Sequence, residues 1–225
     1  MIGGGSGIGK KVVEDLVFDG YEVNAASPSI ERNSVPEVVE IQKFDVTSED
    51  QLHLPEELAG LVYCPGTINL RPFNRIKLDD IRKEFEINYF GAVKVMHQSI
   101  TALIKGKGSV VFFSTVAVQT GMPFHTSIAS AKGAIEGLAR SLAAEYAPNV
   151  RFNVIAPSLT DTPLSDALLN NERKRDSNTQ RHPLKKIGTP EDISNLVTFL
   201  ITPRSQWVTG QIFKIDGGMS SLRLL

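Results

Sequence analysis

Cysteine is almost absent: Cys64 is the single one in 225 residues. No intramolecular disulfide can form, which suits a reducing cytoplasm. Excess charge of either sign is missing, the net charge being -1. Nothing electrostatic therefore favours nucleic acid or an anionic membrane as partner. No apolar run approaches the ~20 residues of a membrane span. The opening MIGGGSGIGKK lacks the apolar region of a signal peptide. Cys64, His53, His97 and His182 have no metal-ligand spacing, so no metal site is expected. Repeats and low-complexity segments are absent as well. With 41% hydrophobic residues, the chain reads as a cytoplasmic globular protein, one domain over 1–225, since domains of roughly 200 to 250 residues are common.

What is present is alternation. Helical apolar spacing runs from Ile8 to Phe18, and Tyr21 to Ala26 reads as a strand. Val38 to Phe44 is a strand ending at Asp45, and Ser48 to Gln51 resembles a capping box opening a short helix. Gly60 to Tyr63 is a short apolar strand. Leu78 to about Lys105 reads as one long helix. A buried-type strand, Val110 to Phe113, ends in Ser114-Thr115, and a helix follows from about Thr126 to Tyr146. Val150 to Ile155 and Gln211 to Ile215 are further strands. Thr189-Pro190-Glu191-Asp192 is a helix start with cap, proline and acids in place. Strands alternating with helices imply right-handed βαβ units. The expected fold is α/β, a Rossmann-like doubly wound parallel sheet between two helix layers. Ligands on such a sheet bind at the carboxyl ends of the strands.

The stretch from Val110 to Lys132 puts polar groups at one of those strand ends, facing a lysine on the next helix. That is the layout of an active site. At the start of the chain, Gly3, Ser6, Gly7, Ile8 and Gly9 open the first helix. Glycines permit close backbone approach, and a helix N-terminus offers free N–H groups to a pyrophosphate. Only Met1 and Ile2 precede this loop, where a central strand is expected. Either that strand is very short or natural residues precede Met1. Unpaired backbone is expected there.

The spacing Gly3-x-x-x-Gly7-x-Gly9 resembles the short-chain dehydrogenase/reductase family, whose loop reads Thr-Gly-x-x-x-Gly-x-Gly, with Ile2 in place of the threonine. The resemblance covers nearly the whole chain. Asp45-Val46 is similar to the family's adenine-holding pair. Tyr63-Cys64-Pro65-Gly66 replaces Asn-Asn-Ala-Gly, keeping only Gly66. Asn88 matches the catalytic asparagine. Pro157-Ser158 replaces Pro-Gly, with Thr160 and Thr162 where nicotinamide and phosphate contacts fall. Val208 to Gly218 is close to the C-terminal strand signature. The resemblance implies an NAD(P)-dependent oxidoreductase acting on a carbonyl, alcohol or enoyl small molecule. Ser27 ends the second strand of that scheme, where an acid would accept the ribose 2′-OH and repel a 2′-phosphate. Serine does neither, so NADP is expected ahead of NAD, with Arg32 the nearest basic residue.

In the family a serine, a tyrosine and a lysine act together, supported by the asparagine. Lys132 matches the lysine and Thr115 the serine, but position 128 is Ile128. Three readings stay open. His125, seven residues before Lys132, is a relocated proton donor. Alternatively Lys132, Thr115 and water suffice: the dienoyl-CoA reductases also lack this tyrosine, and their Ser-Ala-Ser-Ala-Lys is similar to Ile128-Ala-Ser-Ala-Lys132 here. Or the protein is a catalytically impaired NAD(P)-binding sensor or partner subunit. The resemblance also implies a mobile substrate lid over about 159–187, and a homodimer or homotetramer formed through the two long helices. The basic run Glu172-Arg-Lys-Arg175 with Lys185-Lys186 is either a phosphate contact or a solvated helix end.

Overall fold

The structure is a computed structural model and describes residues 1–223. In chain order the strands are β1 (Asn24–Ser27), β2 (Glu40–Lys43), β3 (Gly60–Tyr63), β4 (Ser109–Phe113), β5 (Arg151–Pro157) and β6 (Ile212–Ile215). The helices are α1 (Gly7–Phe18), α2 (Leu78–Phe85), α3 (Gly91–Lys105), α4 (Ala117–Thr120), α5 (Thr126–Tyr146), α6 (Asp166–Leu169), α7 (Glu172–Arg181) and α8 (Pro190–Ile201). Pairing is parallel throughout, β1 with β2 and β3-β4-β5-β6 in order. The doubly wound α/β expectation holds.

Met1, Ile2 and Gly3 join the two halves of the sheet, Met1 by accepting from Ala26 N (2.8 Å). Ile2 bridges Ala26 on one side and Tyr63 on the other. Its N–H donates to the Val62 oxygen (2.9 Å) and its oxygen accepts from Cys64 N (3.0 Å), while Gly3 N reaches the Ala26 oxygen (2.7 Å). The backbone expected to be unpaired there is paired, and Ile2 is buried. The central strand is one bridge long on each side, which is enough to place Gly3 at the sheet's carboxyl edge.

Both faces of the sheet are covered, so its strands read as continuous apolar runs. Successive side chains of β4 go to opposite layers. Val110 and Phe112 pack with Phe152, Val95, Leu103 and Ile135, beneath α3 and α5. Val111 and Phe113 pack with Val12, Leu16, Val197 and Leu200, beneath α1 and α8. Each such side chain, fully buried, contributes roughly 1.5–3 kcal/mol. Among the described residues no helix is long and apolar enough to cross a membrane.

Four expectations shift. No helix forms over Ser48 to Gln51. Local side-chain bonds take its place: Asp45 accepts from Thr47, Asp50 accepts from the Asp45 N–H, and Ser48 donates to the Asp45 oxygen. The strand expected from Tyr21 begins at Asn24, because Gly20 and Tyr21 still donate to the helical oxygens of Val17 and Leu16. The strand expected from Val38 begins at Glu40, since Val39 N closes a turn onto the Pro36 oxygen. The long helix from Leu78 to Lys105 is interrupted by a π-helical turn, Glu86–Phe90. Gly91 sits after that turn because a Cβ there would fall 2.4 Å from the Tyr63 hydroxyl. That hydroxyl donates instead to the Ile87 oxygen (2.5 Å). The α8 start matches its sequence signature, Thr189 Oγ1 accepting from Asp192 N (3.2 Å) and the Asp192 carboxylate from Thr189 N (2.9 Å).

Candidate active site

A cleft of about 640 Å³ opens along the carboxyl ends of the strands. Gly3, Ser6, Gly7, Ile8, Ser27, Asp45, Val46, Gly66, Thr115, Lys132, Pro157, Thr160 and Thr162 all line it. Gly9 and Asn88 stand behind this lining.

One end is built mostly from backbone. Ser6 caps α1 in extended conformation with no side-chain cap bond, which leaves the N–H groups at the very start of the helix available to an anion. Gly3 has φ of 79° and lies against Pro65. A Cβ on Gly9 would fall 2.1 Å from the Gly3 oxygen, so Gly9 sets the tight turn from behind rather than touching a ligand. Ser27 ends β1, paired with Lys43 of β2. Arg32 is spent elsewhere, donating to the Val39 and Pro36 oxygens (both 2.6 Å). Asp45 accepts from Thr47 N (2.8 Å) and Thr47 Oγ1 (2.7 Å). Those bonds, the backbone one first, hold its carboxyl below the usual carboxylate range. Val46 packs beside it in the core.

At the middle, Gly66, Asn88 and Lys132 come together. A Cβ on Gly66 would lie 3.5 Å from Asn88 Oδ1 and 3.7 Å from Lys132 Nζ. Asn88 Nδ2 donates to the Glu84 main-chain oxygen (2.8 Å) and to Thr67 Oγ1 (2.9 Å). Lys132 is buried, and burial lowers its ammonium to about 8 against the opposing pull of Cys64 and Glu84. The half-buried Cys64 thiol beside it is pushed up to about 11, mainly by desolvation. At neutral pH the pair is thus ammonium and neutral thiol.

The far end holds Thr115, Ile128 and His125. Thr115 lines the cleft and accepts from Ala117 N (3.3 Å), so its hydroxyl proton is free. Neighbouring Ser114 is committed to Glu136 Oε1 (2.6 Å). Ile128 is 6% exposed and lies one turn before Lys132 on the same face of α5. His125, half-buried, also lines the cleft. Its Nδ1 is 2.7 Å from the Pro123 oxygen. A carbonyl only accepts, so Nδ1 carries the proton and Nε2 is left open.

Sequence reasoning did not anticipate a cluster around Ser158. His182 is buried, with Nε2 2.8 Å from Ser158 Oγ and Nδ1 2.8 Å from the Asn178 oxygen. The serine in Pro157-Ser158 was the available signal. Thr67 and Glu84 were missed too. The signal for Glu84 was an acid one turn before Asn88 on the helix's inner face. The expected lid carries α6 and α7, and most of its basic run is used internally. Arg175 grips Asp161 (2.7 and 3.2 Å), Lys174 donates to the Ala167 oxygen (2.7 Å), and Lys186 pairs with Asp192 (2.9 Å). These bonds favour the helix-end reading over a phosphate contact. No group of three His, Cys, Asp or Glu side chains among the described residues could hold a metal.

Comparisons with known proteins bear on the same cleft. Residues 3–220 match the family model described as Enoyl-(Acyl carrier protein) reductase. The chain is 30% identical over 239 residues to the 3-oxoacyl-(acyl-carrier-protein) reductase FabG of Thermotoga maritima, covering 97% of this chain and 96% of that protein. It is 30% identical over 241 residues to a tropinone reductase homologue of Arabidopsis thaliana, covering 98% and 90%. Among solved structures, a short-chain type dehydrogenase/reductase of Mycobacterium ulcerans superposes with TM-score 0.87 at 27% identity, covering 97% and 88%. ElxO with NADP bound superposes with TM-score 0.87 at 26% identity, covering 98% of each chain. A glycine loop on a parallel sheet, a buried lysine beside an asparagine, and these full-length likenesses have one conclusion: the chain belongs to the short-chain dehydrogenase/reductase family of nicotinamide-dependent oxidoreductases.

Proposed function

We propose that this oxidoreductase uses NADP ahead of NAD, works on the carbonyl/alcohol or enoyl group of a small molecule, and does so without the family's tyrosine. The observation that carries the reading is the buried Lys132 beside Gly66 and Asn88, with Ile128 one turn away in the tyrosine's place. The residues fit a nicotinamide dinucleotide. Gly3, Ser6, Gly7 and Ile8 hold its pyrophosphate, supported from behind by Gly9. Asp45 and Val46 hold its adenine, and Ser27 leaves room for a 2′-phosphate. Gly66, Pro157, Thr160 and Thr162 line its nicotinamide half. The open first turn of α1 and the hydrogen-bonded Asp45 support these roles. When bound, the nicotinamide supplies or accepts hydride.

The chain's own residues do the rest. Lys132 holds the ribose and keeps positive charge close to the reacting centre. Thr115 offers its free proton to the substrate oxygen and orients it. Asn88 braces the floor of the site. Ile128 removes water rather than adding a proton donor, so proton transfer must use other groups in the cleft. Segment 159–187 acts as substrate lid within one NAD(P)-binding domain. Exposed apolar side chains, Phe90 at the head of α3 and Trp207 ahead of β6, support a homodimer or homotetramer. A cytoplasmic location accords with the one cysteine being a free, half-buried thiol. The enoyl and 3-oxoacyl names of the family model and of one relative favour acyl thioesters as first probes.

The test is a calorimetric titration with NADPH and NADH, followed by turnover with acetoacetyl and crotonyl thioesters and a panel of simple ketones. Tighter binding of NADPH and measurable NADPH consumption are expected. Binding without turnover on every probe would instead make the protein a nucleotide sensor or partner subunit. Binding of neither nucleotide would refute both readings.

A further inference from the structure

Behind Gly66 lies a carboxylate that none of these roles uses. Glu84 is 3% exposed and Asn88 is fully buried, one helical turn apart. Each keeps one buried side-chain oxygen, Glu84 Oε2 and Asn88 Oδ1, without a hydrogen-bond partner. Unpaired buried polar atoms are costly and point to a role.

The hydrogen-bond directions follow from donor and acceptor chemistry. The Glu84 main-chain oxygen only accepts, so the Asn88 atom 2.8 Å from it is Nδ2. The same Nδ2 donates to Thr67 Oγ1 at 2.9 Å. Thr67 therefore accepts there, and its own single proton is free for another partner. One partner is Glu84 Oε1 at 3.3 Å. The other is whatever enters the cleft, which Thr67 lines. One hydroxyl thus links a buried carboxylate to the cleft.

We infer that Thr67 and Glu84 form the proton path of this enzyme, in place of the donor that position 128 lacks. This rests on the reaction proposed above. In alcohol oxidation the substrate O–H bond breaks and its proton goes to Thr67 Oγ1. The Thr67 proton passes to Glu84 Oε1, turning carboxylate into carboxylic acid, and the hydride is the cofactor's share. In reduction the same transfers run backward, and the substrate oxygen gains the proton. Thr67 is the catalytic residue, and Glu84 is the positioning residue that loads it. Lys132 on α5 is the titratable group that faces Glu84, and the Glu84 charge helps keep Lys132 protonated.

Infrared difference spectra of the full chain, taken between acid and neutral pH, read the carboxyl directly. Glu84→Gln should lose one protonation-dependent C=O band, and Thr67→Val should keep that band at a shifted frequency. A spectrum unchanged by Glu84→Gln, or a band that Thr67→Val leaves in place, overturns the connection whatever the turnover. With NADPH and an acetoacetyl thioester, each variant should lose about 10- to 100-fold in rate and flatten the acid limb of the pH profile. The double variant should be no slower than the slower single one, and NADPH affinity should stay within about 2-fold. Parent-like rates and pH profiles in both variants overturn the proposal. A parent that turns over no probe refutes the proposed reaction, while the infrared bands still decide the Thr67–Glu84 link. Should Glu84→Gln not fold, Thr67→Val carries both measurements.

Discussion

The two ends of the cleft are made of different material. The nucleotide end is backbone: a capless helix start, glycines packed against main-chain atoms, and one acid fixed by its own loop. The reacting end is side chains, Thr115, Ile128, His125 and Lys132 on a loop and one helix. Backbone geometry tolerates little change, because an added Cβ meets main-chain atoms. A side chain on a sound helix can be exchanged while the fold stands. On the proposed reading, the nucleotide end thus keeps its pattern while the reacting end departs at position 128. The comparison also separates stability from function. In the proposed function the glycines serve both, whereas Lys132 serves function at a cost to stability.

The largest expected effect breaks the nucleotide end. Gly9→Val puts a side chain where even a Cβ comes 2.1 Å from the Gly3 oxygen. Destabilisation of about 3 kcal/mol or more is expected, read by urea unfolding, with loss of NADPH binding. Unchanged stability would show that the turn is looser than its geometry.

Lys132→Met comes next and should split the two properties. Turnover should fall about 10²- to 10³-fold, while unfolding free energy at neutral pH rises by about 2 kcal/mol. The sign follows from proton binding. With its pKa lowered to about 8, the folded protein gives up the Lys132 proton before the unfolded chain does. The parent's stability therefore gains as pH rises from about 8 towards the unfolded value, and the variant lacks that gain. Turnover should move oppositely, falling as pH passes about 8 and the ammonium discharges. A pH-stability series on both proteins checks the pair of signs.

Ser27→Asp probes specificity at the nucleotide end. A carboxylate at the end of β1 should weaken NADPH by about 10-fold and leave NADH unchanged or improved, read by calorimetry. Equal affinities in parent and variant would move the 2′-phosphate contact away from Ser27.

The same division explains what was legible in the sequence. The glycine loop, Asp45-Val46, Gly66, Thr115 and Lys132 could be placed because the family resemblance fixed their register on strands and helices with clear periodicity, and all but Gly9 of the residues so named line the cleft. Helix α5 fell on its expected bounds, since a long small-residue helix leaves little choice. The π-helical turn at Glu86–Phe90 was invisible. It depends on a long-range contact, Tyr63 to the Ile87 oxygen, which no local propensity encodes. The helix at Ser48 failed for the opposite reason, because Asp45, Thr47 and Asp50 satisfy one another locally. The Ser158–His182 contact and the buried Glu84 join residues far apart in sequence or hidden in an ordinary helical pattern, so only packing reveals them. Arg32 was placed near the 2′-phosphate by proximity in sequence, yet two loop carbonyls hold it.

The measurement that tests the central claim most directly is stopped-flow NADPH oxidation on one acyl thioester, the parent compared with Ile128→Tyr. The account predicts that the parent consumes NADPH and that restoring the phenol speeds it by about 10-fold or more, with NADPH affinity unchanged. A parent that binds NADPH but never oxidises it, or an Ile128→Tyr variant no faster than the parent, would contradict the claim that an intact nucleotide end serves a reacting end working without its tyrosine.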